Sequence, residues 1–167
     1  MKRAAILAMM LIGFWSASCS GSDGSEMPEG PSTEQPGNEN ENNDEDMETR
    51  TMKIKVGATT FTVDLVDNSS VRALVEMLSS GDIEIDMRDY AGMEKVGYLS
   101  RSLPQNNSNI STSAGDVILY QGNQFVIYYG TNQWSLTRLG KIRNATRETL
   151  LSALGKGDVT VTLSLSE

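Results

Sequence analysis

The sequence predicts a mainly β domain, a closed eight-stranded antiparallel barrel with two capping helices, preceded by an export segment and an acidic tether. Three observations carry this. Eight segments of alternating or β-branched residues, against two of helical spacing, fall within about 115 residues, a ratio suited to a small barrel with a helix over each open end. Most of the aromatic surface and the clearest strand pattern lie together between Ala114 and Ile142. No internal repeat divides the domain.

Met52 to Val56 alternates Ile54 and Val56 against Lys53 and Lys55, Gly57-Ala58 turns, and Thr59 to Leu65 alternates Phe61, Val63 and Leu65 against threonines and Asp64, which makes an opening hairpin. Asp67-Asn68-Ser69-Ser70 is a cluster of helix-capping residues. Val71, Leu74, Val75 and Leu78 then recur at helical spacing until Gly81. Asp82 to Asp89 is a strand with Ile83, Ile85 and Met87 on one face and Asp82, Glu84, Asp86 and Arg88 on the other. Tyr90 to Lys95 reads as a turn, Val96 to Leu99 as a short strand, and Ser102 to Ser113 as a polar loop. Val117 to Tyr120 and Phe125 to Tyr129 flank the turn Gln121-Gly122-Asn123-Gln124 as a second hairpin. Gly130 to Gln133 breaks the strand and presents Trp134, after which alternation resumes to Gly140. Asn144-Ala145-Thr146 caps a second helix with Leu150, Leu151 and Leu154 as its stripe, and Asp158 to Leu165 closes the chain as a strand.

Charge locates the domain. The formal net charge is -8, but ten acids and one base lie between Ser20 and Arg50, so the remainder from Thr51 is nearly neutral. Such a domain lacks the basic stripe that nucleic acid requires, and none is expected as a partner. Residues 1–18 have the form of a secretory signal: Lys2-Arg3, an apolar run from Ala4 to Trp15, and small residues Ser16-Ala17-Ser18 before Cys19. The run is too short to span a bilayer, which takes about 20 residues. Small residues directly before a cysteine resemble the lipobox of bacterial lipoproteins, although Ser16 stands where an aliphatic residue is preferred; the alternative is an ordinary cleaved signal. Cys19 is the chain's one cysteine, so lipidation explains it better than redox chemistry does. Residues 19–50, rich in Ser, Gly, Glu, Asn and Pro, are expected to form a disordered tether, and residues 51–167 the domain. Asn43 to Asp46 has no calcium-loop glycine turn.

With no histidine in the chain, a serine-histidine-aspartate hydrolase and an ordinary zinc site are excluded. The glycines form no phosphate loop or dinucleotide fingerprint. No cofactor and no metal are expected. Asp82, Glu84 and Asp86 offer acid-base or cation-binding chemistry on one strand face, against the plainer reading of a solvated face. The plain reading of Phe125, Tyr128 and Trp134 is barrel core, less so for Trp134, which follows a turn.

The order of elements from about Met52 to Ser166 resembles the cyclophilin-like domains of bacterial proteins, relatives in fold of the cyclophilin prolyl isomerases. The likeness lies in Asp89-Tyr90-Ala91-Gly92-Met93-Glu94-Lys95, in Gly115-Asp116-Val117-Ile118-Leu119-Tyr120, and in Tyr129-Gly130 followed by Trp134 to Ile142. It implies a barrel with a shallow apolar groove along one face. Asn123-Gln124-Phe125-Val126-Ile127 is similar to the cyclophilin segment that supplies a glutamine and pocket phenylalanines, but Val126 stands where a second aromatic is expected. Arg88, ahead of Met93, resembles the cyclophilin arginine without its surrounding signature, and the histidine of the groove wall is missing. The expected groove residues are Arg88, Tyr90, Met93, Gln124, Phe125, Tyr128, Trp134 and Arg138. The expected protein is a lipoprotein anchored to a bacterial membrane through Cys19, exported to the outer membrane, that binds a peptide or small ligand; the alternative is a weak prolyl isomerase with Arg88 as electrophilic partner and Phe125, Met93 and Trp134 as pocket.

Overall fold

Alternating apolar and polar residues build the strands near both ends of the domain, and continuous β-branched and aromatic runs build the hairpin between Asp116 and Tyr128. A computed structural model describes residues 50–166; the expected signal segment, Cys19 and nearly all of the expected acidic tether lie outside the described residues. The strands are β1 (Thr51–Val56), β2 (Thr59–Leu65), β3 (Ile83–Tyr90), β4 (Glu94–Tyr98), β5 (Ser108–Ser111), β6 (Asp116–Tyr120), β7 (Gln124–Tyr128), β8 (Gln133–Ile142) and β9 (Val159–Leu165), and the helices are α1 (Ser69–Ser79) and α2 (Arg147–Leu154). Eight strands run in the order β2-β1-β9-β3-β4-β7-β6-β8, and β8 returns to pair with β2, so the barrel is closed with every neighbouring pair antiparallel. Closure leaves these eight strands without a bare edge.

The inward positions are the apolar ones that alternation marks: Met52 and Ile54, Val63, Ile85 and Met87, Val117 and Leu119, Phe125 and Ile127, Val161 and Leu163 are all buried in one cluster. Asn68 caps α1 by accepting from the Val71 amide at 2.8 Å, and Val71, Leu74 and Leu78 seal one end of the barrel. Thr146 and Thr149 form a capping box on α2, whose Leu150 and Leu154 join the same core. The Ser70 hydroxyl donates to the Pro104 carbonyl just past β4, whereas the Arg147 guanidinium donates to Gly92 at the other end of β4, so the two helices close opposite mouths.

One strand departs from the expected eight. The polar stretch from Ser102 to Ser113 contains β5, which pairs with Gln133 to Leu136 of β8, while Thr137 to Ile142 of β8 pair with β6 and β2. The first four residues of β8 thus form an arm beyond the barrel wall, and Trp134 sits on it opposite Ile110.

Candidate functional site

The outward positions of five strands make a groove of about 580 Å³ on the barrel's outer face. Register arranges it in three rows, because residues paired across antiparallel strands have side chains about 5 Å apart on the same face. Tyr90, Glu94 and Tyr128 form the first row. Arg88, Val96, Val126 and Ile118 form the second, whose aliphatic members are the apolar floor. Tyr98, Gln124 and Tyr120 form the third. Trp134 and Leu136 stand over these rows from the arm of β8, so four of the chain's five tyrosines line the groove together with one of its two tryptophans. Tyr90, Tyr98 and Trp134 are each about 60 % exposed, which is unusual for rings of that size and leaves their faces open to a ligand.

Glu94 is the buried charge at this face. It is only 9 % exposed, it faces Tyr128 across the strands, and its Oε2 is buried without a partner. Tyr128 in turn accepts from Asn132 Nδ2 at 3.2 Å. Burial pushes the Glu94 carboxyl above the usual range, the neighbouring Tyr128 phenol opposing this, and burial together with Glu94 keeps the Tyr128 phenol protonated. A carboxyl that binds its proton more tightly in the folded chain than in the unfolded one loses stability as pH rises from its unfolded pKa, about 4.3, through its raised folded value. Glu94→Gln removes that loss. Urea denaturation is expected to show the variant gaining on the parent as pH is raised from about 4 to 8. A difference independent of pH would mean that the carboxyl is not perturbed.

Of the eight residues expected at the groove, Arg88, Tyr90, Gln124, Tyr128 and Trp134 line it. Phe125 does not: it is fully buried inside the barrel, on the opposite face of β7 from Tyr128, so Arg88 and Phe125 face different spaces. Met93 packs beneath the groove against the cluster of Ile118, Val126, Tyr128 and Leu136, and its backbone carbonyl accepts from the amides of Tyr129 and Gly130. Gly130 permits this approach, since a Cβ there would meet Met93 Cβ at 2.7 Å. Arg138 is turned to Asp116, donating to its Oδ1 at 2.5 Å; Asp116 is buried and also held by Lys141 and the Ser113 amide. Among the lining residues not expected are Glu94, Val96 and Tyr98 of β4, and Tyr120 at the end of β6. The outer phase of β4, Glu94-Val96-Tyr98, is the signal for the first three, but it is hidden by Lys95, a charge on the inner face.

The carboxylates Asp82, Glu84 and Asp86 lie apart from this site. Asp82, Glu84 and Asp86 are exposed, and Asp86 accepts from the Thr160 hydroxyl at 2.6 Å. Among the described residues no three acidic or cysteine side chains are grouped to hold a metal.

The solution structure of a hypothetical protein from Archaeoglobus fulgidus is similar to this chain, with a TM-score of 0.54 at 12 % identity over 71 % of this chain and 95 % of that one. At that identity the likeness is one of fold. No curated protein matches the sequence. Residues 54–164, well over half of the chain, match the cyclophilin-like family, and the protein belongs to it.

Proposed function

We propose that this chain is an exported, lipid-anchored binding protein whose outer-face groove receives a peptide or small ligand, without efficient prolyl isomerisation. The observation that carries it is the groove itself, where five aromatic side chains surround an aliphatic floor with one buried carboxyl. Sites for small ligands and short peptides combine apolar walls with a few converging polar groups in this way. Gln121, Gln124 and Asn132 supply amides at the rim. Export and anchoring are supported by the sequence Lys2-Arg3, the apolar run to Trp15, and the lone Cys19 after small residues. Acyl chains on that cysteine would contribute about 0.8 kcal/mol per buried methylene to membrane attachment.

Weak isomerase activity is the second reading, favoured by the position of Arg88 beside Val96 on the groove floor. Lowering a barrier of about 18–20 kcal/mol needs a guanidinium at the imide nitrogen and a pocket that grips the proline ring. Phe125 is inside the barrel and no histidine exists to complete a cyclophilin-like wall. In a proline-peptide isomerisation assay, the full chain is expected to run at the uncatalysed rate, and Arg88→Ala to change nothing. Acceleration lost on that substitution would replace the binding reading with the catalytic one. Cells fed a palmitate analogue are expected to label the parent and not Cys19→Ser; equal labelling would remove the anchor.

A further inference from the structure

The groove's first row is built to take a positive charge. Glu94 lies between Tyr90 and Tyr128 across β3, β4 and β7, is nine-tenths buried, and leaves Oε2 without a donor. No side chain among the described residues donates to that oxygen, and Lys95, the neighbouring cation in sequence, points into the barrel to Asp89 and the Gly157 carbonyl. A buried acceptor with no partner is costly, so it is retained where something supplies the missing hydrogen bond. Aromatic faces flanking a carboxyl attract a cation through their ring quadrupoles while the carboxylate provides the countercharge.

We propose that the groove binds an extended peptide segment and seats one of its basic side chains on Glu94, between the rings of Tyr90 and Tyr128. This rests on the binding role proposed above and names the class of partner. A groove of about 580 Å³ with three rows of side chains across its strands has room for the flanking residues of a short segment. Gln121 and Gln124, already bonded to each other at 2.9 Å beside the third row, present amides to a peptide backbone. Asp89 also lines the groove, but its carboxylate is held by Lys95, Tyr129 and the Gly92 amide, which leaves Glu94 as the free countercharge. Arg88, one row away, repels a cation and confines it to the Glu94 end.

The Trp134 indole N–H resonance of the isotope-labelled full chain reads occupancy directly. Three probes are titrated: acetyl-Gly-Lys-Gly-amide, its neutral norleucine counterpart, and n-butylammonium. The lysine tripeptide is expected to bind about tenfold more tightly than the norleucine one, and more tightly than n-butylammonium. Glu94→Gln is expected to bring the two tripeptides to parity, and Tyr90→Ala, at an exposed ring, to shrink the lysine preference with the fold intact. Equal affinity of the two tripeptides for the parent, or a preference that survives both substitutions, would overturn the cation seat and leave the groove reading standing. Butylammonium held as tightly as the lysine tripeptide would overturn the peptide as occupant. No resonance shift with any probe would overturn both.

Discussion

Gly140→Ala is expected to be among the most damaging single changes in this domain, costing at least about 3 kcal/mol or preventing folding. β2 and β8 share just three residue pairs, Val63 with Ile142, Asp64 with Lys141 and Leu65 with Gly140, and these are what turn an open sheet into a barrel. Gly140 is also paired with Val117 of β6, so both of its flanks are occupied. A Cβ there would collide with the Asp64 carbonyl oxygen and lie 2.8 Å from Val63 Cγ1. A backbone oxygen cannot swing away as a side-chain end can, so the methyl group must push β2 off its neighbour. Against a total stability of about 5–15 kcal/mol, loss of that seam is a large fraction. Gly157→Ala is the control, because its site has nothing within 4 Å and no left-handed backbone. Chemical denaturation of the two variants tests the point. A Gly140→Ala midpoint equal to that of Gly157→Ala would mean the barrel is not closed along this line.

The barrel was legible because its inward residues follow a local rule. Ile54, Val63, Ile85 and Leu163 each alternate with polar neighbours, and period two needs no knowledge of the partner strand, while Leu119 and Ile127 lie in continuous β-branched and aromatic runs that read as strands by composition. β5 was not legible, since Ser-Asn-Ile-Ser holds a single apolar residue and becomes a strand only because the arm of β8 offers it an edge. The site divides along the same boundary. Period two places Phe125 and Tyr128 on opposite faces of one strand, so the sequence held the means to separate them. It held no means of pairing Arg138 with Asp116, or of ranking Glu94 beside Tyr128, since both depend on registers between distant segments. Lys95 is the sharpest case. A strand lysine reads as outward, yet this one is fully buried, and the groups that make this tolerable are Asp89 and the distant Gly157 carbonyl.

That buried lysine makes Asp89 the second position of large expected effect. Lys95 Nζ donates to Asp89 at 3.2 Å and to the Gly157 carbonyl at 2.6 Å, and the Tyr129 hydroxyl donates to the same Asp89 carboxylate. The Arg147 guanidinium lies 5.3 Å over the Tyr129 ring and donates to the Tyr129 carbonyl, so the network ties β3, β4 and β7 to α2 at one mouth of the barrel. The bond from Tyr129, opposed by burial and joined by Lys95 and the Gly92 amide, holds the Asp89 carboxyl below its usual range. Burial and Asp89 push the Tyr129 phenol up, so it remains a donor. A depressed carboxyl contributes stability that is complete above its unfolded pKa, about 3.9, and lost as pH falls through its lower folded value. Asp89→Asn removes the countercharge while keeping the shape, and leaves an ammonium buried without one. Such a change costs about 3–5 kcal/mol, whereas replacing the whole pair by apolar groups is often close to neutral. Asp89→Asn is therefore expected to be strongly destabilised at neutral pH, Lys95→Met much less so, and the double variant Asp89→Asn/Lys95→Met to recover most of the loss. Urea denaturation of the four proteins closes the cycle. A double variant as unstable as Asp89→Asn alone would show that the damage comes from the lost Tyr129 contact and not from the stranded charge.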